Sequence, residues 1–159
     1  MGEIVNVRMA EMNVVRDSYS LKTILGSCVG VILHDPVKRI SGLAHVMLPR
    51  NMRSDSSIGK YADTAIPALL AMMSGNGSRI SSLKAYLIGG ANMFPTATRG
   101  LGSVGDQNVV AARKVLEEAA VPVVFEEIGG TQGRTVIFNN ESGEISVRTL
   151  KPVPAGVGA

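Results

Sequence analysis

Cys28, His34 and His45 are the only cysteine and the only two histidines of the chain, and so its whole supply of side chains that ordinarily titrate close to neutral pH. Asp35-Pro36 lies between Cys28 and His45, and Asp before Pro signals a turn with proline at its second position. In an antiparallel hairpin centred between Pro36 and Val37, Cys28 and His45 fall opposite one another on one face, with Cβ atoms about 5 Å apart. That is hydrogen-bonding reach for a thiol and an imidazole. A slip of register would move His45 to a diagonal position or to the other face. An adjacent imidazole stabilises the thiolate that attacks, then returns the proton to the leaving group, which suits acyl transfer from an amide, thioester or ester. On this reading Cys28 is alkylated faster than free cysteine near neutrality. Gly26 and Ser27 permit close approach of substrate, and an amide hydrogen of Ser27 or Cys28 is placed to donate to a developing oxyanion. Two other readings stay open: a small buried hydrophobe beside a satisfied core histidine, and a metal site using Cys28, His45 and His34. No CxxC spacing exists, and neither metal nor cofactor is expected.

The elements that must position these residues follow from the apolar pattern. Ile4–Val7 and Met12–Val15 read as short strands. Thr23–Leu33 reads as a β-branched and aliphatic run interrupted by small residues, and Ile40–Leu48 as its hairpin partner. Arg50–Ser57 is a polar loop close enough to His45 to wall the entrance. Apolar residues from Ile58 to Met73 recur at helical spacing, with Pro67 expected to kink or break the helix, and Gly75-Asn76-Gly77 ends it. A strand over Leu83–Ile88 ends in Gly89-Gly90, and Asn108 is a candidate cap for a second helix reaching Ala119. Pro122 confines the Val121–Phe125 strand to an edge, and Arg134–Asn139 with Glu144–Leu150 form a last hairpin. These elements make one α/β domain over residues 1–151: two principal helices on one side of mainly antiparallel sheet. Residues 152–159, built of Pro, Gly, Val and Ala, are expected to be a flexible C-terminal tail.

Composition narrows the function. Hydrophobic residues make up 45% of the 159, enough for a real core, and charged residues only 18%. A net charge of +3 spread along the chain, with 4% aromatic residues and no Trp, does not suit a nucleic-acid reader. The longest stretch free of charge, Thr64–Ser78, is broken by Pro67, Gly75 and Gly77 and is too short to span a membrane. The acidic start Met1-Gly2-Glu3-Ile4 is no signal peptide, so a cytoplasmic protein is expected. Gly100-Leu101-Gly102-Ser103-Val104-Gly105 matches the GxGxxG pattern, but Met93–Arg99 separates it from the preceding strand, whereas a dinucleotide fold turns directly from strand into glycine loop.

Several ordered blocks are more specific. Leu25-Gly26-Ser27-Cys28-Val29, His45-Val46-Met47-Leu48-Pro49, Gly59-Lys60-Tyr61-Ala62-Asp63-Thr64-Ala65, Gly89-Gly90-Ala91-Asn92-Met93-Phe94, and Gly129-Gly130 with Gly133-Arg134 together resemble the chemoreceptor glutamine deamidase family, CheD. The resemblance runs from about residue 20 to 150. It implies a layered α/β/β sandwich, Cys28 as nucleophile and His45 as its base. It also implies glutamines of chemoreceptor cytoplasmic domains as substrates, and a chemotaxis response-regulator phosphatase of the CheC type as partner. Where the family reads Gly-x-Arg-Asn, this chain has Gly105-Asp106-Gln107-Asn108. The expected function is a cysteine-dependent protein-glutamine amidohydrolase. Its rival is a non-catalytic module docking on chemoreceptors or on the phosphatase.

The family's third catalytic residue is a threonine upstream of the cysteine, and Thr23 is the candidate here. In an unbroken strand Thr23 points away from the face of Cys28. It can orient His45 only if the backbone changes phase between them, most cheaply at Gly26. A backbone carbonyl and Ser27 are the alternatives.

Overall fold

The aliphatic run from residue 20 to residue 35 divides at Gly26-Ser27-Cys28 into two strands that belong to different sheets. The computed structural model describes residues 2–93 and 102–150, which form nine strands and two α-helices. In chain order these are β1 (Ile4–Asn6), β2 (Met12–Arg16), β3 (Ser20–Leu25), β4 (Val29–Asp35), β5 (Ile40–Val46), α1 (Ala62–Gly75), β6 (Lys84–Gly89), α2 (Val104–Glu118), β7 (Val123–Ile128), β8 (Arg134–Asn139) and β9 (Ile145–Thr149). A four-stranded sheet has the order β1-β3-β8-β9, and a five-stranded sheet the order β2-β5-β4-β6-β7. Pairing is antiparallel except for β1 with β3 and β6 with β7.

Every residue of β4 and β5 is buried, which follows from a sheet covered on both faces. On one face Val29, Val31, Leu33, Ile40, Ala44 and Val46 pack with α1 and α2 through Ile66, Leu69, Met73, Ala112 and Leu116. On the other, Ile32 and Leu43 join Leu21, Leu25, Val136 and Phe138 of the smaller sheet. Helices, large sheet and small sheet are thus three layers, the α/β/β sandwich expected from the sequence. No helix among the described residues is long and apolar enough to cross a membrane.

Several elements differ from the expectation. The β4–β5 hairpin pairs Asp35 with Ile40 and Gly30 with His45, so its centre lies between Val37 and Lys38. Asp35 sets the wider turn: its Oδ1 accepts from the amides of Val37 and Lys38, at 3.0 and 3.1 Å. The first helix starts at Ala62, after a separate 3-10 turn over Ile58–Lys60, and keeps Pro67 inside it. Ser103, not Asn108, caps α2: Ser103 and Asp106 each bond the other's backbone amide in a capping box. The last glycine of the GxGxxG match seats that helix, since a Cβ on Gly105 would lie 2.4 Å from the Gly90 carbonyl oxygen. Gly100 and Leu101, like the tail 152–159, lie outside the described residues. Pro122 immediately precedes β7, an edge strand as expected. The Arg50–Ser57 loop is internally bonded, with Asn51 and Asp55 exchanging two hydrogen bonds and the Tyr61 hydroxyl donating to Asp55 at 3.0 Å.

Candidate active site

Thr23 belongs to the small sheet and His45 to the large one, and they meet in the buried layer between. Thr23 Oγ1 lies 2.6 Å from the Val7 carbonyl oxygen and 2.8 Å from His45 Nδ1. A carbonyl can only accept, so the one hydroxyl proton of Thr23 goes to Val7. The hydroxyl lone pair must then accept from His45, which places the imidazole proton on Nδ1 and leaves Nε2 with its lone pair. Parallel pairing of β1 with β3 delivers Val7 to this point, and the Val7 amide donates to Lys22 O at 2.8 Å. The phase change needed for Thr23 is supplied at Gly26-Ser27-Cys28, by the chain leaving one sheet for the other rather than by a bulge. The family resemblance named Thr23, but nothing in the sequence pointed to Val7.

The two-residue shift of the hairpin preserves parity, so Cys28 stays on the His45 side but diagonal to it. The direct partner of His45 is Gly30, which brings no side chain. Cys28 is half-buried and packs against the inter-sheet cluster that includes Leu25 and Ile88. Among the described residues no hydrogen bond joins its thiol to the imidazole. The main chain of His45 is held separately, its amide donating to Glu11 O and its carbonyl accepting from Ala10 N, both at 3.0 Å.

Burial pushes the Cys28 thiol above its ordinary 9.0, against a smaller pull from its own amide. Burial likewise pushes His45 below 6.5, opposed by the Val7 carbonyl and by Glu11. Both shifts favour neutral forms. They run against the activated thiolate that the spacing suggested.

Ser27 and Cys28, the expected oxyanion donors, sit on a loop fastened by its carbonyls. Gly26 O accepts from Ala91 N at 3.0 Å and Cys28 O from Gly90 N at 2.9 Å. Ser27 O accepts from Asn108 Nδ2 at 3.1 Å. Among the described residues the amides of Ser27 and Cys28 donate to no backbone carbonyl. Gly89 and Gly90 have φ of +104° and +66°, and a Cβ on Gly89 would lie 2.4 Å from Cys28 O. Arg134 closes the rear, donating to Gly89 O at 3.3 Å and Gly129 O at 2.9 Å while pairing with Glu127 at 3.3 Å. Neither Asn108 nor Arg134 stood out in the sequence as part of this site.

His34 lies elsewhere, at the far end of the inter-sheet layer. Its Nδ1 is 2.8 Å from Ser41 Oγ, Ser41 donates to Asn140, and the ring meets Phe138 edge-on. It takes no part with Cys28 and His45. No group of three or more potential metal ligands occurs among the described residues.

Comparison with known proteins identifies the family. A family model described as CheD chemotactic sensory transduction matches residues 47–149. The chain belongs to the CheD family. The relative named chemoreceptor glutamine deamidase CheD in Halalkalibacterium halodurans is 42% identical, over 94% of this chain and 96% of that protein. That of Bacillus licheniformis is 42% identical, over 93% and 91%. A probable chemoreceptor glutamine deamidase CheD of Methanococcus vannielii is 42% identical, over 91% and 94%. Among solved structures, Neisseria meningitidis protein NMB0706, of family DUF152, has a TM-score of 0.54 at 15% identity and covers 80% of this chain and 64% of its own. The Bacillus licheniformis hypothetical protein YfiH has a TM-score of 0.52 at 15% identity and covers 76% and 51%. The likeness to these two concerns the fold alone.

Proposed function

We propose that this CheD-family protein is a protein-glutamine deamidase acting on glutamine side chains of chemoreceptor cytoplasmic domains. The bond from His45 Nδ1 to Thr23 carries the reading, because it turns an unprotonated Nε2 free for base chemistry. The names of the relatives supply the substrate class.

In the proposed reaction His45 Nε2 takes the Cys28 thiol proton as Sγ bonds to the carboxamide carbon. The amides of Ser27 and Cys28 hold the oxyanion. The imidazolium protonates the amide nitrogen, the C–N bond breaks and ammonia leaves a thioester. Water then loses a proton to Nε2 and attacks the thioester carbon. The C–S bond breaks, the proton returns to sulfur, and glutamate remains. A methyl glutamate ester fits the same route, with methanol leaving in place of ammonia. A CheC-type phosphatase as partner and a cytoplasmic location complete the proposal.

Incubation with a receptor cytoplasmic fragment tests it by mass. A gain of about 1 Da per modified glutamine is expected, and none with Cys28→Ala, which fits the space of a small thiol. Turnover retained in Cys28→Ala would sink the covalent route, and a folded wild type that binds the fragment without a mass change would favour a docking module.

A further inference from the structure

We infer that Asn108 is a positioning residue that aims the oxyanion-holding amides of the nucleophile loop and ties that loop to the strand bearing His45. The inference rests on the reading of Cys28 as nucleophile but not on the choice of substrate.

Asn108 lies in the second turn of α2 and is fully buried. Its Nδ2 uses both protons, one on Ser27 O at 3.1 Å and the other on Met47 O at 3.0 Å. The reverse placement of the amide would set its oxygen against two carbonyls, so the orientation is fixed. Ser27 immediately precedes the nucleophile, and Met47 lies two residues beyond His45. One side chain thus bridges the chain segments that carry the thiol and the base.

The bond to Ser27 also sets a direction. No peptide bond among the described residues is cis, and in a trans peptide the carbonyl and the following amide hydrogen point opposite ways. Holding Ser27 O against α2 therefore turns the Cys28 N–H away from α2. Ala91, by holding Gly26 O, likewise turns the Ser27 N–H away from Ala91. Of the three consecutive carbonyls fastened from behind, only that of Ser27 depends on a side chain. Asn108 Oδ1 is buried with no hydrogen-bond partner among the described residues. An orphaned oxygen is unfavourable, so the residue is best explained by what its two donors hold.

Two reagents that differ in their need for an oxyanion hole separate this role from bulk stability. Acylation of Cys28 by p-nitrophenyl acetate passes through a tetrahedral oxyanion: the S–C bond forms, nitrophenolate leaves and His45 takes the thiol proton. Alkylation by iodoacetamide displaces iodide at a saturated carbon and forms no oxyanion. With the full chain at one pH, and the Cys28→Ala rate subtracted, Asn108→Ala should slow acylation about tenfold or more and alter alkylation less than about twofold. Asn108→Leu keeps the volume but presents no donor, so it should show the same split. Equal slowing of both reactions, slowing of neither, or loss of the fold in both variants would overturn the positioning role. A wild type acylated no faster than Cys28→Ala would remove the nucleophile and this role with it. A wild type acylated normally but inactive on receptor fragments would overturn only the substrate assignment.

Discussion

Orientation of His45 is a residue-scale problem with a measurable answer. Thr23→Ala deletes the acceptor at 2.8 Å, yet the Val7 carbonyl is already 3.5 Å from the same nitrogen and is released to take its proton. The loss of turnover should therefore be partial, about tenfold, and Thr23→Ser should restore most of it. A Thr23→Ala protein as active as wild type would hand the role to Val7 alone. Burial of both groups sets the expected pH behaviour. In the proposed reaction His45 acts unprotonated, and burial moves its titration below 6.5, so kcat/KM should hold its plateau into acid below that value. The thiol titrates above 9.0, so iodoacetamide should alkylate Cys28 at neutral pH more slowly than it does free cysteine. Faster alkylation, abolished in His45→Ala, would restore the ion-pair picture.

At the scale of elements, the split of residues 20–35 between two sheets explains both what the sequence disclosed and what it hid. Composition and alternation locate the strands, and the Asp35-Pro36 turn locates the hairpin. Parity survives the error in its centre, because the four-residue turn shifts register by two places. What stays hidden is long-range: that Val7 arrives beside Thr23, and that α2 sets Asn108 under Ser27, depends on how layers stack and on no local pattern. The glycines divide the same way. Gly89 reads as a strand end, but its function is to let Cys28 O approach. Gly89→Ala must accommodate a Cβ 2.4 Å from that oxygen at φ +104°, so activity should fall while stability drops by about 1 kcal/mol or more. Gly75→Ala, with nothing within 4 Å of the added carbon, should leave activity intact and stability unchanged or raised by up to about 1 kcal/mol. Urea titrations beside the deamidation assay compare the two, and an active Gly89→Ala would show that the loop tolerates displacement.

The whole molecule holds its two sheets together around two buried histidines, each bonded through Nδ1 to a hydroxyl, at opposite ends of the inter-sheet layer. Burial also pushes His34 below 6.5, with Asp35 pulling it up and Lys84 pressing it further down. Both rings gain a proton in the unfolded chain at a higher pH than in the folded one. Between the folded and unfolded values the unfolded state binds more protons, so stability falls as pH drops below about 6.5 and levels off below the folded values. At the other end Cys28 is raised. The unfolded thiol ionises first, and stability falls as pH climbs past 9.0. Unfolding free energy should therefore be flat between about pH 6.5 and 9 and decline on both sides, with at most about 1.4 kcal/mol per pH unit for each group. His34→Gln separates the contributions without touching Cys28, Thr23 or His45. It should lower stability at every pH, because the Ser41–Asn140 link loses its ring partner, yet make the acid slope shallower by removing one of the two titrating rings. Urea denaturation at half-unit steps from pH 5 to 10 measures both effects. An acid slope unchanged in His34→Gln would show that this ring takes up its proton no later in the folded layer than in the unfolded chain.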